Sequence, residues 1–274
     1  MDKTLVIFSV PRTGSNFVCN LINSFKEFEC FGEVYHNKSV FAPYKRKQEF
    51  INYLTQSRGV EQISIGKNDY EDLELVEYAH QYPDLFLESM QQTSQKKYLG
   101  FKIFQYHLTE EDMQRVMLEN KNIIKLILKR NLLEAYASDC ILVKNLKQMG
   151  NKAAHHLDTS QNKVNFEEKH FQNWFKRTTE YYSMLEKLCI NFPKEHFFMT
   201  YEEVHKHDNN QDKALYVINS LNQMGFEIDY NQDMDNFCFL KKQDSRAFVL
   251  EKFENPEAVK EFLFQNDLKN LLNN

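Results

Sequence analysis

The chain is poor in the residues that punctuate or staple a fold. Its 274 residues contain 7 glycines, 5 prolines and a single tryptophan. That scarcity excludes collagen-like and Gly/Pro-rich linker architectures. The five cysteines, Cys19, Cys30, Cys140, Cys189 and Cys238, are scattered and odd in number. They form neither a disulfide framework nor a C-x-x-C zinc pattern, so a reducing compartment is expected. No apolar run reaches membrane-spanning length. The N-terminal apolar stretch stops at Pro11 and Arg12, too early for a signal-peptide core, and no small-residue cleavage site follows it. A cytoplasmic location is therefore expected, without a transmembrane segment. The formal net charge of -5 supplies no basic field for nucleic acid.

Hydrophobic residues make up 42 % of the chain, enough to build a real core. The length suits one α/β domain, taken here as residues 1–274. Its N-terminal stretch is the most telling. Thr4 to Val10 is a short β-branched apolar run, Pro11-Arg12-Thr13-Gly14-Ser15-Asn16 is a polar turn, and Phe17, Val18, Leu21, Ile22 and Phe25 recur at helical spacing. A strand entering a helix through such a turn aims backbone N–H groups at one point, where the helix dipole also favours an anion. With one Gly and no Lys, the turn is not a Walker A loop.

Further elements follow in order. A second strand is expected to end near Gly32 or Glu33, with helices over about 47–57, 69–80 and 83–93 capping one end of the sheet. Residues 97–104 read as a third strand, and Thr109 opens a helix to about Asn120. Residues 122–129 read as a fourth strand, with Asn131 capping a helix over about 132–147. The polar stretch 148–166, with His155 and His156, reads as a loop. Then come a helix over about 167–191 around Trp174, a strand over 196–201, a helix over about 212–224 and a last helix from Pro256. Lys45-Arg46-Lys47 reads as a solvated run that would at most steer an anionic acceptor, and Trp174 as core.

The β–α alternation predicts a parallel sheet of about five strands flanked by helices, with ligands beyond the C-terminal strand ends. Residues 11–16, Glu33, Lys102, Arg130 and Tyr201 all fall at or past such ends. Arg130 ends an apolar strand and Ser138 lies eight residues on in the next helix. If the helix folds back, both would reach one phosphate, with Arg as the bidentate donor.

These residues carry a resemblance. Pro11-Arg12-Thr13-Gly14-Ser15-Asn16-Phe17 resembles the 5′-phosphosulfate loop of sulfotransferases that use 3′-phosphoadenosine 5′-phosphosulfate (PAPS). Leu128-Lys129-Arg130-Asn131 with Ser138 is similar to their 3′-phosphate motif. Gly32-Glu33-Val34 resembles the Gly-Glu motif of the bacterial carbohydrate and tyrosylprotein branches, and Phe198 to Val204 resembles a later strand ending in Tyr-Glu. The resemblance covers about residues 4–205 and implies a P-loop-NTPase-like three-layer α/β fold. It implies that Arg12, Thr13, Gly14, Ser15 and Asn16 cradle the phosphosulfate and that Arg130 and Ser138 hold the 3′-phosphate. Lys241 or Lys242 and Arg246 would complete that site, and Tyr201 would touch the adenine side.

Cytosolic members place a His base two residues after a Lys, whereas here Phe104 follows Lys102 at that offset. The base assignment moves to Glu33, with His36 and His107 as runners-up and Arg12 and Lys102 as catalytic cations. The implied reaction needs PAPS, yields 3′-phosphoadenosine 5′-phosphate (PAP) and needs no metal. The acceptor is a hydroxyl, with a carbohydrate or glycolipid favoured and a tyrosyl group or other alcohol open. Segments 37–95 and 144–166 are expected to build the acceptor site or its lid. A P-loop-like small-molecule kinase and a non-catalytic PAP(S)- or partner-binding protein are the alternatives.

Overall fold

The computed structural model describes residues 3–61, 63–66, 72–149, 158–191, 193–231, 237, 244, 246 and 248–272. Five strands form one parallel sheet: β1 Thr4–Phe8, β2 Phe28–Cys30, β3 Tyr98–Ile103, β4 Ile123–Lys129 and β5 His196–Thr200. Their order is β2-β3-β1-β4-β5, with β1 at the centre. Ile7 lies level with Lys102 on one side and Leu126 on the other, and Lys129 lies level with Thr200. All C-terminal strand ends thus come to one edge of the sheet.

The helices are α1 Ser15–Asn23, α2 Tyr44–Arg58, α3 Leu73–Gln81, α4 Pro83–Thr93, α5 Glu110–Asp112, α6 Leu132–Met149, α7 Glu168–Asn191, α8 Tyr201–His205, α9 Asn210–Gln223 and α10 Pro256–Gln265. They lie on both faces of the sheet, which explains strands that are apolar on both sides. Successive residues of β1 point opposite ways. Val6 and Phe8 pack with side chains of α2, α3, α4 and α7, while Leu5 and Ile7 pack with those of α1 and α9. A third cluster joins α6, the start of α7 and α10, and Trp174 packs against it, as expected for a core tryptophan.

The α/β class, the parallel sheet and its five strands stand as the sequence predicts. Several details differ. Helices α2 to α4 cover a face of the sheet rather than capping its end, because Phe50, Leu75, Val76, Phe86 and Met90 meet Phe101 and Ile103. β2 closes at Cys30, yet pairing with β3 continues past it: Phe31 N–H donates to Gly100 O at 2.8 Å and Lys102 N–H to Gly32 O at 3.2 Å. That continuation delivers Glu33 beside Lys102. Thr109 caps α5 as expected, but the turn then widens into a π-helix, Met113–Leu118. Of the Lys45–Lys47 run only Lys45 is solvated. Arg46 is 5 % exposed and Lys47 2 %, because Arg46 pairs with Glu29 and Glu49, and Lys47 with Asp72.

Residues 150–157 of the expected lid segment 144–166, including His155 and His156, lie outside the described residues. In the described part, Val164 bridges to Phe253, and Arg246 donates to Thr159 O at 3.1 Å and Asn162 O at 2.8 Å.

Candidate active site

The turn after β1 has a backbone that few sequences adopt. Gly14 has φ 83° and Arg12 has φ 69°. The left-handed region is uncommon for a residue with a Cβ, and such residues persist where their surroundings fix them. Three contacts fix this turn. Thr13 Oγ1 donates to Val10 O at 2.9 Å, Arg130 Nη1 donates to Arg12 O at 2.8 Å, and Arg12 Nε donates to Ser138 Oγ at 3.0 Å. The first N–H groups of α1 lack intrahelical carbonyls and open onto this turn. Arg12, Arg130 and Ser138, separated by 118 and 126 residues in pairs, therefore meet at one spot.

Around them the strand ends interlock. Asn131 caps α6, its Oδ1 accepting from Leu133 and Glu134 N–H, and its own N–H donates to Glu202 at 2.9 Å. Thr200 and Glu203 form a reciprocal capping box that starts α8. Tyr201 packs on the turn so closely that a Cβ at Gly14 would lie 2.2 Å from its ring. The Arg130 guanidinium lies 4.4 Å from the Tyr201 ring centroid, and His205 stacks on the same ring at 3.9 Å. Burial raises the Tyr201 phenol, an effect opposed by Arg130. A cleft of about 410 Å³ opens here, lined by Arg130, Glu134, Tyr201, Glu202, Glu203, His205 and Lys206.

One strand over, Lys102 is 3 % exposed and sits 2.8 Å from Glu33 Oε1, while its ammonium also bonds Asn16 Oδ1. His107 is fully buried with Nε2 3.4 Å from Glu33 Oε2. Burial pushes the Glu33 carboxyl up, but His107 and Lys102 outweigh it and bring it down to about 2. Burial lowers His107, against the pull of Glu33, and lowers His36 likewise. Phe104 N–H donates to His107 Nδ1 at 3.1 Å. The neutral ring therefore carries its proton on Nε2, towards Glu33.

The two candidate arms thus converge: Arg12, Arg130, Ser138 and Tyr201 on one side, and Glu33, Lys102, Asn16 and His107 on the other, joined through the 12–16 turn. Ser15 is buried at the start of α1. Arg246 is not brought to Arg130. Its guanidinium bonds Asp244, Thr159 O and Asn162 O, so its donors serve the 159–162 turn. Lys241 and Lys242 lie outside the described residues. A residue the sequence did not single out, Lys252, is 1 % exposed and bonds Glu134, which in turn lies 3.1 Å from Arg130. Glu134 was visible as an i,i+4 partner of Arg130, whereas nothing local links it to Lys252. Asp139 and Tyr106 were also missed. Asp139 follows Ser138 and lies in the field of Arg12, and Tyr106 lies edge-on to His107 at 5.0 Å.

Among the described residues no group of three or more His, Cys, Asp or Glu side chains could hold a metal ion, and no helix is long and apolar enough to cross a membrane. No family model matches the chain, and no curated protein matches it. Among solved structures it is similar to the crystal structure of a sulfotransferase from Alicyclobacillus acidocaldarius, at 12 % identity and a TM-score of 0.47, over 99 % of this chain and 96 % of that one. At that level no residue role is taken from the likeness.

Proposed function

We propose that the chain is a PAPS-dependent sulfotransferase acting on a hydroxyl acceptor, with a carbohydrate or glycolipid favoured. The observation that carries this reading is the meeting of Arg12, Arg130 and Ser138 at the mouth of a helix-entering turn. A nucleotide with phosphates on the 5′ and 3′ carbons of one ribose needs two adjoining anion sites. The turn 12–16 with Lys102 would hold the 5′ end, and Arg130 with Ser138 the 3′-phosphate. The fit has a physical mark. Arg130 Nε is buried and completes no hydrogen bond among the described residues, which is costly unless a ligand supplies an acceptor. Ser138 Oγ accepts from Arg12 and keeps its own proton to donate.

PAPS supplies an activated sulfuryl group: the acceptor oxygen bonds to sulfur, the sulfur–oxygen bond to the 5′-phosphate breaks with its electron pair on phosphate, and the hydroxyl proton passes to Glu33. Such transfers need positioning and charge stabilisation more than covalent help. Arg12 and Lys102 stand where the leaving oxygen gains charge. Glu33 is ionised and has a free lone pair to receive a proton. His107 does not, because its Nδ1 lone pair accepts from Phe104 N–H and its Nε2 carries hydrogen. The same holds for His36, whose Nδ1 accepts from Lys38 N–H at 3.1 Å. While His107 and Lys102 hold Glu33 near 2 the carboxylate is a weak base. An anionic donor that draws Lys102 towards itself would loosen that hold and raise the basicity of Glu33.

Calorimetric titration with PAP, against AMP as control, tests the reading. PAP is expected to bind far more tightly than AMP, since only PAP offers a 3′-phosphate to Arg130 and Ser138. Equal affinity, or tighter binding of Mg-ATP than of PAP, would overturn it.

A further inference from the structure

Hydrogen bonds hold the Arg130 guanidinium at two of its nitrogens. Nη1 donates to Arg12 O at 2.8 Å and Nη2 to Glu134 Oε2 at 3.1 Å. Two such bonds define a line, and a flat guanidinium can still rock about it. Rocking swings Nε, which is buried and completes no hydrogen bond among the described residues, out of the plane in which a phosphate oxygen would meet it. A third contact fixes that plane. The Tyr201 ring lies against the guanidinium, with the guanidinium carbon 4.4 Å from the ring centroid. A ring face attracts the cation, and its flatness matches that of the guanidinium.

The ring needs support of its own, because Tyr201 starts α8 at the wall of the 410 Å³ cleft. Gly14 crowds it from the turn. His205, four residues on and so on the same side of α8, stacks on the ring at 3.9 Å with 23° between the planes. The imidazole is held in turn. Its Nδ1 lies 3.0 Å from Tyr201 O, and since a carbonyl only accepts, Nδ1 carries the hydrogen and donates. Phe17 of α1, a core residue, meets the imidazole at 4.8 Å. The contacts close a circuit. The 12–16 turn leads into Phe17, Phe17 backs His205, His205 backs Tyr201, Tyr201 sets the plane of Arg130, and Arg130 returns to the turn at Arg12 O. Tyr201 and Arg130 touch the turn directly, whereas His205 lines the cleft and joins the core to them.

We infer that His205 is a positioning residue for the donor nucleotide: by holding the Tyr201 ring against the Arg130 guanidinium, it keeps Arg130 in the plane that a 3′-phosphate meets. It thereby sets how strongly a nucleotide bearing that phosphate is preferred over one without it. The role calls for a ring at position 205, not for a charge there or for the hydrogen bond to Tyr201 O.

This role rests on the sulfuryl-transfer reading, and one experiment separates the two. PAP and AMP are titrated calorimetrically into the native chain and three variants, with folding checked by chemical denaturation. A native chain that binds PAP no better than AMP would fault the underlying reading. His205→Leu fills the space without a π face, and His205→Gln keeps a donor for Tyr201 O without a ring. Both should weaken PAP by about tenfold, the usual worth of a partly desolvated cation–π contact, and leave AMP within about twofold. His205→Phe should restore the native PAP-to-AMP ratio. In turnover, His205→Gln should raise KM for PAPS by a similar factor and change kcat far less, because His205 touches no reacting atom. A native ratio in His205→Gln, an equal loss of PAP and AMP in either ringless variant, or no recovery in His205→Phe would overturn the assignment.

Discussion

Two lysine–glutamate pairs sit on either side of the central strand, one beyond β2 and β3 and one beyond β4, and they are built differently. Lys252–Glu134 is closed: both side chains are at most 7 % exposed, and the carboxylate is shared with Arg130. Lys102–Glu33 is half open, with Lys102 3 % and Glu33 19 % exposed, and its lysine is shared with the phosphate-turn residue Asn16. Burial lowers Lys252, against the pull of Glu134. In the other pair the marked shift belongs to the acid, which is held near 2. A closed pair fixes the position of a third group, here Arg130. A pair with a partly exposed carboxylate and a shared cation can exchange partners when an anion arrives. On the proposed reading, the same two residue types serve as scaffold in one place and as chemistry in the other.

That contrast can be broken. Glu33→Gln should lose roughly 10²–10⁴-fold in transfer, the usual worth of a general base, while keeping PAP affinity. Unchanged turnover would move the base elsewhere. Lys252→Met should act the other way, destabilising the fold by about 3–5 kcal/mol, the usual cost of stranding a buried charge, as read by chemical denaturation. Normal stability would show that Arg130 alone holds Glu134. Arg130→Ala should weaken PAP by ~1.5–3 kcal/mol, as for a lost hydrogen bond to a charged group. Calorimetry that finds AMP weakened equally would deny the 3′-phosphate role.

A subtler test uses pH. The Glu33 carboxyl is lowered from 4.5 to about 2 in the folded chain. The stability it contributes, about 2 kcal/mol after allowing for partial exposure, is present above pH about 4.5 and lost as the pH falls through about 2. The stability difference between the native chain and Glu33→Gln should therefore shrink over that interval, and a flat difference would show that His107 and Lys102 do not hold the carboxylate. The smallest effect is expected at the capping box, where Thr200→Ala should cost about 1 kcal/mol and be visible as a lower melting temperature.

Much of the frame was legible locally. The Ile123–Leu128 run could only be a buried strand, and Asn131 announced the helix after it. The eight-residue step from Arg130 to Ser138 could be read, though not the fact that Arg12 would lie between them, because that contact spans more than a hundred residues. Burial of charge was the least legible. Arg46 and Lys47 looked like a solvated run, and only their distant partners Glu29 and Asp72 draw them inward. Lys252 went unnoticed for the same reason. The end of β2 was misplaced because its ladder continues through Gly32 without strand geometry, which is also what sets Glu33 against Lys102.

The contact between Gly14 and Tyr201 bears on assembly. The turn after the first strand is completed by a ring that arrives almost two hundred residues later, at the end of the last strand. A ribosome-tethered or truncated chain ending before β5 would carry the whole phosphate-turn sequence and Arg130, yet lack the wall that shapes them into a clamp. On the proposed reading, nucleotide affinity would report sheet completion: it should emerge only when the edge strand docks, and it should fade first when that strand frays.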